Sequence, residues 1–145
     1  ATETRCSCMA CNKADWVRGL ARLISSAISN WQKTGPLMKR NERCPDSAAV
    51  MSHLDETTMG KMMDEVYRLI MVADYASESD YLNWEVVNHE FAYSVEPHMY
   101  EGLFAAMTEA VSEALGVDWN TAMESAWKAR CDDLRREIVR RFTST

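Results

Sequence analysis

The sequence predicts an all-α domain, and three observations carry that prediction. Apolar residues recur at spacings of three and four along most of the chain, as they do in helices with one buried face. No run alternates apolar and polar residues as a half-buried strand would. The breakers Gly35-Pro36, Pro45, Pro97 and Gly116 fall between the periodic stretches and not inside them.

The elements follow in order. A first helix begins near Asp15, a good N-cap, and places Trp16, Leu20, Leu23, Ile24, Ile28 and Trp31 on one stripe. Gly35 tolerates the left-handed cap and Pro36 cannot continue the helix, so it stops there. Residues 37–55 are polar and irregular, with room for a short helix from Ser47 to His53. A long helix then runs from Asp55 or Thr58 to Asp74, with Met59, Met63, Val66, Ile70 and Ala73 on its inner face.

A polar connection, Ala76 to Asp80, leads to a shorter helix, Tyr81 to Ala92, carrying Leu82, Val86 and His89. Pro97 breaks the chain and opens the next helix, His98 to Leu115, with Leu103, Met107 and Val111 on one face. Gly116 ends it. The last helix starts between Asp118 and Thr121, where Thr121 and Glu124 have capping-box spacing. It runs to Phe142, with Trp127, Cys131, Leu134, Ile138 and Phe142 in one stripe.

At 145 residues the chain is the size of one domain and can bury a core. The expected organisation is a flexible cysteine-containing tail, 1–12, followed by one domain, 13–145. A net charge of −6 argues against nucleic acid as a partner. The one basic stretch, Arg135 to Arg141, reads as a solvated face near a negative helix end. No segment has the roughly 20 apolar residues of a membrane helix. No signal peptide is visible, which fits removal of an initiator Met, a processed secreted chain or an excised domain equally well; the compartment is open, with the cytoplasm slightly favoured over secretion.

The five cysteines are Cys6, Cys8, Cys11, Cys44 and Cys131. Cys6, Cys8 and Cys11 form a C-x-C-x-x-C cluster without the nearby histidine that a zinc site would want. Free thiols, a lipidated tail, an intermolecular disulfide and a bridge from the tail to Cys131 all fit this pattern.

No phosphate-binding glycine motif, nucleophile elbow or H-E-x-x-H metal helix occurs. Chemistry therefore rests on three histidines: His53, His89 and His98. His98 reads as a helix-start residue. His89 stands apart because of the run Val86-Val87-Asn88-His89-Glu90-Phe91-Ala92-Tyr93-Ser94-Val95-Glu96-Pro97. There a short helix ending in histidine is followed by a corner, a branched apolar residue and a long apolar helix.

This run resembles the globin family, as does Ala114-Leu115-Gly116-Val117-Asp118-Trp119 followed by Ala126-Trp127. The resemblance covers residues 80–142 well, 58–74 in part and 1–57 poorly. It implies a globin-like fold whose first helix is short or missing, so that the helix from Asp15 corresponds to the family's second. It also implies haem b, with His89 as the proximal iron ligand. Val95, Met99, Tyr100, Leu103 and Met107 would line the proximal side, Met63 and Val66 the distal side, and Leu134 or Ile138 the back. The distal group would be His53 or Met59, the latter if Gly60 marks a helix crossing.

The family's corner phenylalanine has no counterpart before Phe91, and Leu37 or Met38 would take its place. The ten methionines read as soft core packing. The function implied is reversible binding of dioxygen or another diatomic gas for transport, storage or sensing, in a chain that could form homo-oligomers. Two alternatives stand beside it. One is haem redox chemistry, such as nitric-oxide dioxygenation or peroxidase-like activity; the other is a haem-free signalling or assembly module.

Overall fold

The computed structural model describes residues 45–72 and 74–143, with Glu56 by its backbone alone. The cysteine tail, the helix expected from Asp15, the corner residues Leu37 and Met38, and Ala73 lie outside the described residues. Within them the fold is all-α, and no strand occurs. Its α-helices are α1 (Pro45–Met51), α2 (Glu56–Met71), α3 (Ser79–Tyr93), α4 (Pro97–Leu115) and α5 (Thr121–Val139). Two 3₁₀ turns, Ala76–Glu78 and Gly116–Asp118, sit before α3 and after α4.

Local chemistry sets each boundary. Pro45 opens α1, where its missing N–H costs nothing, so this helix starts two residues before Ser47 and ends at Met51. Asp55 caps α2 by accepting the Thr58 N–H at 2.7 Å, and that bond holds its carboxyl below the usual range. The helix stops at Met71, short of Asp74, because Val72 turns extended. Asp74 instead accepts the Ala76 N–H at 2.9 Å and shapes the 3₁₀ turn. In α5 the cap is Asn120, whose side chain accepts the Met123 N–H at 2.9 Å, and not the Thr121–Glu124 box.

Helix α5 packs on α4, α2 and α3 and forms the centre of the bundle. Its stripe of Met123, Trp127, Cys131, Leu134 and Ile138 is buried, and Phe142 continues it. Trp127 is fully enclosed and donates its Nε1–H to Thr108 Oγ1 at 2.9 Å. Met63 and Ile70 of α2, Leu82 and Val86 of α3, and Met107 of α4 complete the core. Among the described residues Cys131 is a free, buried thiol, pushed up to about 12 by burial.

Arg130, on the same helix, is buried at 8% exposure. It donates to the carbonyls of Ile70 and Val72 at the end of α2. Of the arginines further along, Arg136 pairs with Asp133 and Arg140 with Glu137, Arg135 lies between Asp132 and Glu101 of α4, and Arg141 bonds both Glu137 and Asn83 of α3. The basic stretch is thus a locally neutralised face. Among the described residues no helix is long and apolar enough to cross a membrane.

Candidate functional site

The corner after α3 is built on His89. Its carbonyl accepts the N–H of Ser94, which takes the left-handed conformation at φ 56°, and the N–H of Val95 at 2.9 Å. Glu96 then adopts extended geometry and Pro97 opens α4. The turn therefore fixes the backbone of His89 and delivers α4 beside it. Two residues into α4, His98 places Nε2 2.7 Å from Asp46 of α1, which holds the start of α1 against the start of α4.

Between these elements lies a cavity of about 300 Å³. One group of lining residues comes from α1, its exit and α2: Ser47, Val50, Met51, His53, Leu54, Thr58, Met62 and Val66. The other comes from α3, the corner and α4: Trp84, Glu85, Asn88, His89, Tyr93, Val95, Met99, Tyr100 and Leu103. The volume is at the lower end of the roughly 300–1,000 Å³ of small-molecule sites, and most of the wall is apolar.

His89 is the most elaborated group in this wall. Its Nδ1 lies 2.5 Å from Tyr100 Oη and its Nε2 lies 3.0 Å from Glu85 Oε1, one helical turn earlier. A carboxylate can only accept, so Nε2 carries the hydrogen that Glu85 receives. In the neutral ring Nδ1 then accepts the Tyr100 hydroxyl hydrogen. Tyr100 is buried, and its ring meets Phe142 edge-on at 5.9 Å between centroids.

The structure brings some of the singled-out residues together and separates others. His53, Val66, His89, Val95, Met99, Tyr100 and Leu103 share the cavity wall. Met63, Met107, Leu134 and Ile138 lie in the packed core, and Met59 is partly buried against it. Met62 stands on the wall in place of Met63, one residue away and about 100° round the helix. His53 is exposed and stacks on Tyr93, with ring centroids 5.4 Å apart and planes 5° from parallel.

Glu85, Tyr93 and Ser47 are among the wall residues that were not singled out from the sequence. Glu85 had a legible signal, the i,i+4 spacing to His89. Tyr93 had none beyond being aromatic. Ser47 had none either, yet its Oγ is buried and without a hydrogen-bond partner among the described residues.

Haem needs a slot with apolar walls and a neutral imidazole oriented by a second hydrogen bond. The Met, Val and Leu side chains of the wall meet the first need, and the Tyr100 hydroxyl beside Nδ1 meets the second. Nε2, the nitrogen that iron would take, is held by Glu85 at 3.0 Å, so only the Tyr100 arrangement at Nδ1 suits the group as it stands. Compared with protein-family models and with curated proteins, the chain matches none.

Proposed function

We propose that this protein is a globin-like haem protein that binds dioxygen or another diatomic gas reversibly, with His89 as the proximal iron ligand. The observation that carries the reading is His89 itself. It stands in the wall of an apolar cavity, with a buried tyrosine hydroxyl 2.5 Å from its second ring nitrogen. The order of elements supports it: a helix carrying histidine near its end, a tight corner, a long apolar helix, a short turn and a last long helix.

The chain's own residues have distinct tasks in this reading. Tyr100 Oη accepts Nδ1–H once Nε2 is given up as a ligand, which fixes the tautomer and the ring plane. Val95, Met99 and Leu103 share the cavity wall with His89 and would keep water from that side. Val66 and Met62 do the same from α2. When bound, haem would supply the iron that takes up the gas. Exclusion of water by the wall would slow oxidation of that iron.

Hemin titration tests the proposal directly. The protein should take up one equivalent of hemin and show a Soret band, and His89→Ala should lose or strongly shift that band. A protein that remains colourless, or a band unchanged by His89→Ala, rejects the assignment.

A further inference from the structure

Helix α3 carries apolar side chains on two faces. Leu82 and Val86 are 1% exposed and belong to the core, whereas Trp84, Val87 and Phe91 are 63%, 45% and 69% exposed. Spacings of three and four put the exposed three on one stripe, within about 60° of arc around the helix. A helix that is apolar on both sides is normally covered on both. Single exposed apolar residues are ordinary, but three in line, two of them aromatic, make a patch of roughly 350 Å², a size that is often functional.

The charges around the stripe select its occupant. No Lys or Arg occurs in α3, so this helix has nothing to attract an anionic membrane or a nucleic acid. Two of its acids are already engaged: Glu85 lies 3.0 Å from His89 Nε2, and Glu90 accepts the Thr143 N–H at 3.1 Å, so a basic partner gains little there. The neutral amides Asn83 and Asn88 flank the stripe. A neutral apolar stripe suits a copy of itself, because both sides of a two-fold contact are the same surface. Register sets the direction. Trp84 and Phe91 lie about 10 Å apart along the helix, on either side of Val87. In an antiparallel pair each Trp84 meets the partner's Phe91, and Asp80 falls beyond the end of the partner's helix. A parallel pair would set Asp80 against the partner's Asp80 and align the two helix dipoles side by side, both unfavourable.

We propose that two copies of this chain associate through α3 in antiparallel fashion, with Trp84 of each copy packed against the partner's Phe91 and the helices crossing at Val87. The inference does not depend on haem. The two stripes together supply roughly 700 Å² of apolar surface. With a polar rim the contact stays near or below the roughly 1,200 Å² at which stable interfaces begin, so the dimer is weak and forms at high protein concentration. Trp84 also lines the cavity that holds His89, so association covers one edge of that wall.

Sedimentation equilibrium of the full chain from about 1 μM to about 1 mM provides the test, under reducing conditions so that the five cysteines do not link chains. The mass should rise from one chain to two across that range. Trp84→Glu and Phe91→Lys each place a charge in the contact and should raise the midpoint concentration at least about tenfold, with helical content unchanged by circular dichroism. The double variant sets opposite charges against each other only in the antiparallel pair, and should dimerise more readily than either single variant at low salt. A chain that stays monomeric throughout, or a dimer whose midpoint neither substitution moves, overturns the assignment. A double variant that associates less than both single variants rejects the antiparallel pairing. If residues 1–44 of the same chain cover the stripe instead, the protein stays monomeric and Phe91→Lys lowers its melting temperature, which rejects self-association as well.

Discussion

Tyr100 Oη and His89 Nδ1 lie 2.5 Å apart, so a buried phenol on α4 sets the orientation of an imidazole on α3. Partners of this kind typically change metal affinity by about 10- to 100-fold when removed. Tyr100→Phe keeps the ring against Phe142 and deletes only the hydroxyl. Its hemin affinity should fall by about that factor while its helical content is unchanged. Titration followed at the Soret band, with far-ultraviolet circular dichroism as control, measures both. Equal affinities for the two proteins would show that the phenol does not orient the ligand.

Glu85 acts on the other ring nitrogen. At 3.0 Å from Nε2 it occupies the atom that iron would need, so uptake of haem requires that bond to open. In the haem reading, a charge-assisted hydrogen bond on a partly exposed carboxylate would slow this step. Glu85→Leu should therefore take up hemin about ten times faster than the wild type, and Glu85→Gln should fall between. Stopped-flow mixing with hemin gives the rates. Identical rates across the three proteins would exclude Glu85 as a barrier.

Much of the helical order is legible in the sequence, because stripes at three and four residues report burial directly. Trp127, Leu134 and Ile138 are buried as their spacing requires. Periodicity reports which face is inside, however, and not which inner residues border a cavity. Met62 and Met63 differ by one step on α2, and only the packing of α3 and α4 decides that the first lines the cavity and the second fills the core. Element ends are decided by single side chains that compete locally. Asn120 takes the cap of α5 from Thr121, and Asp74 turns the chain before α2 can reach it. Ser47 is illegible for another reason: a serine in a polar segment is ordinary, and its missing partner exists only in three dimensions.

The tie between α1 and α4 should depend on pH. His98 is raised above its ordinary 6.5 mainly by its hydrogen bond to Asp46, with Glu96 and Glu101 adding charge attraction. Asp46 is lowered from its ordinary 3.8 mainly by the same bond. A raised histidine contributes stability that is complete below its unfolded value and lost as pH rises through its folded one. A lowered carboxylate contributes above its unfolded value and loses it as pH falls through the folded one. The tie therefore operates from acid conditions below 3.8 up to pH values above 6.5. The His98→Asn variant should melt slightly below the wild type near pH 5 and coincide with it near pH 9. Because both side chains are exposed to solvent, salt at about 0.5 M should shrink the difference at pH 5. A difference that grows with pH would reverse the sign and reject this origin.

Arg130 joins α5 to the end of α2, and its loss should cost more than that of any surface arginine. Its Nε donates to the Ile70 carbonyl at 2.7 Å, and an Nη donates to the Val72 carbonyl. Its guanidinium lies 4.7 Å from the centre of the Tyr75 ring. A helix end carries partial negative charge and carbonyls with no partner inside the helix, so a buried cation there satisfies both needs at once. Arg130→Met fills similar space but leaves the two carbonyls without these donors. Hydrogen bonds from charged groups are worth about 1.5–3 kcal/mol, so unfolding should become easier by about 3 kcal/mol. Arg130→Lys keeps the charge but cannot reproduce the planar fork that reaches both carbonyls, and should recover only part of that loss. Arg136→Met, on the exposed face of the same helix, should change stability by less than about 1 kcal/mol. Urea unfolding of the three variants measures the order. A loss for Arg130→Met no larger than for Arg136→Met would show that the end of α2 does not depend on this arginine.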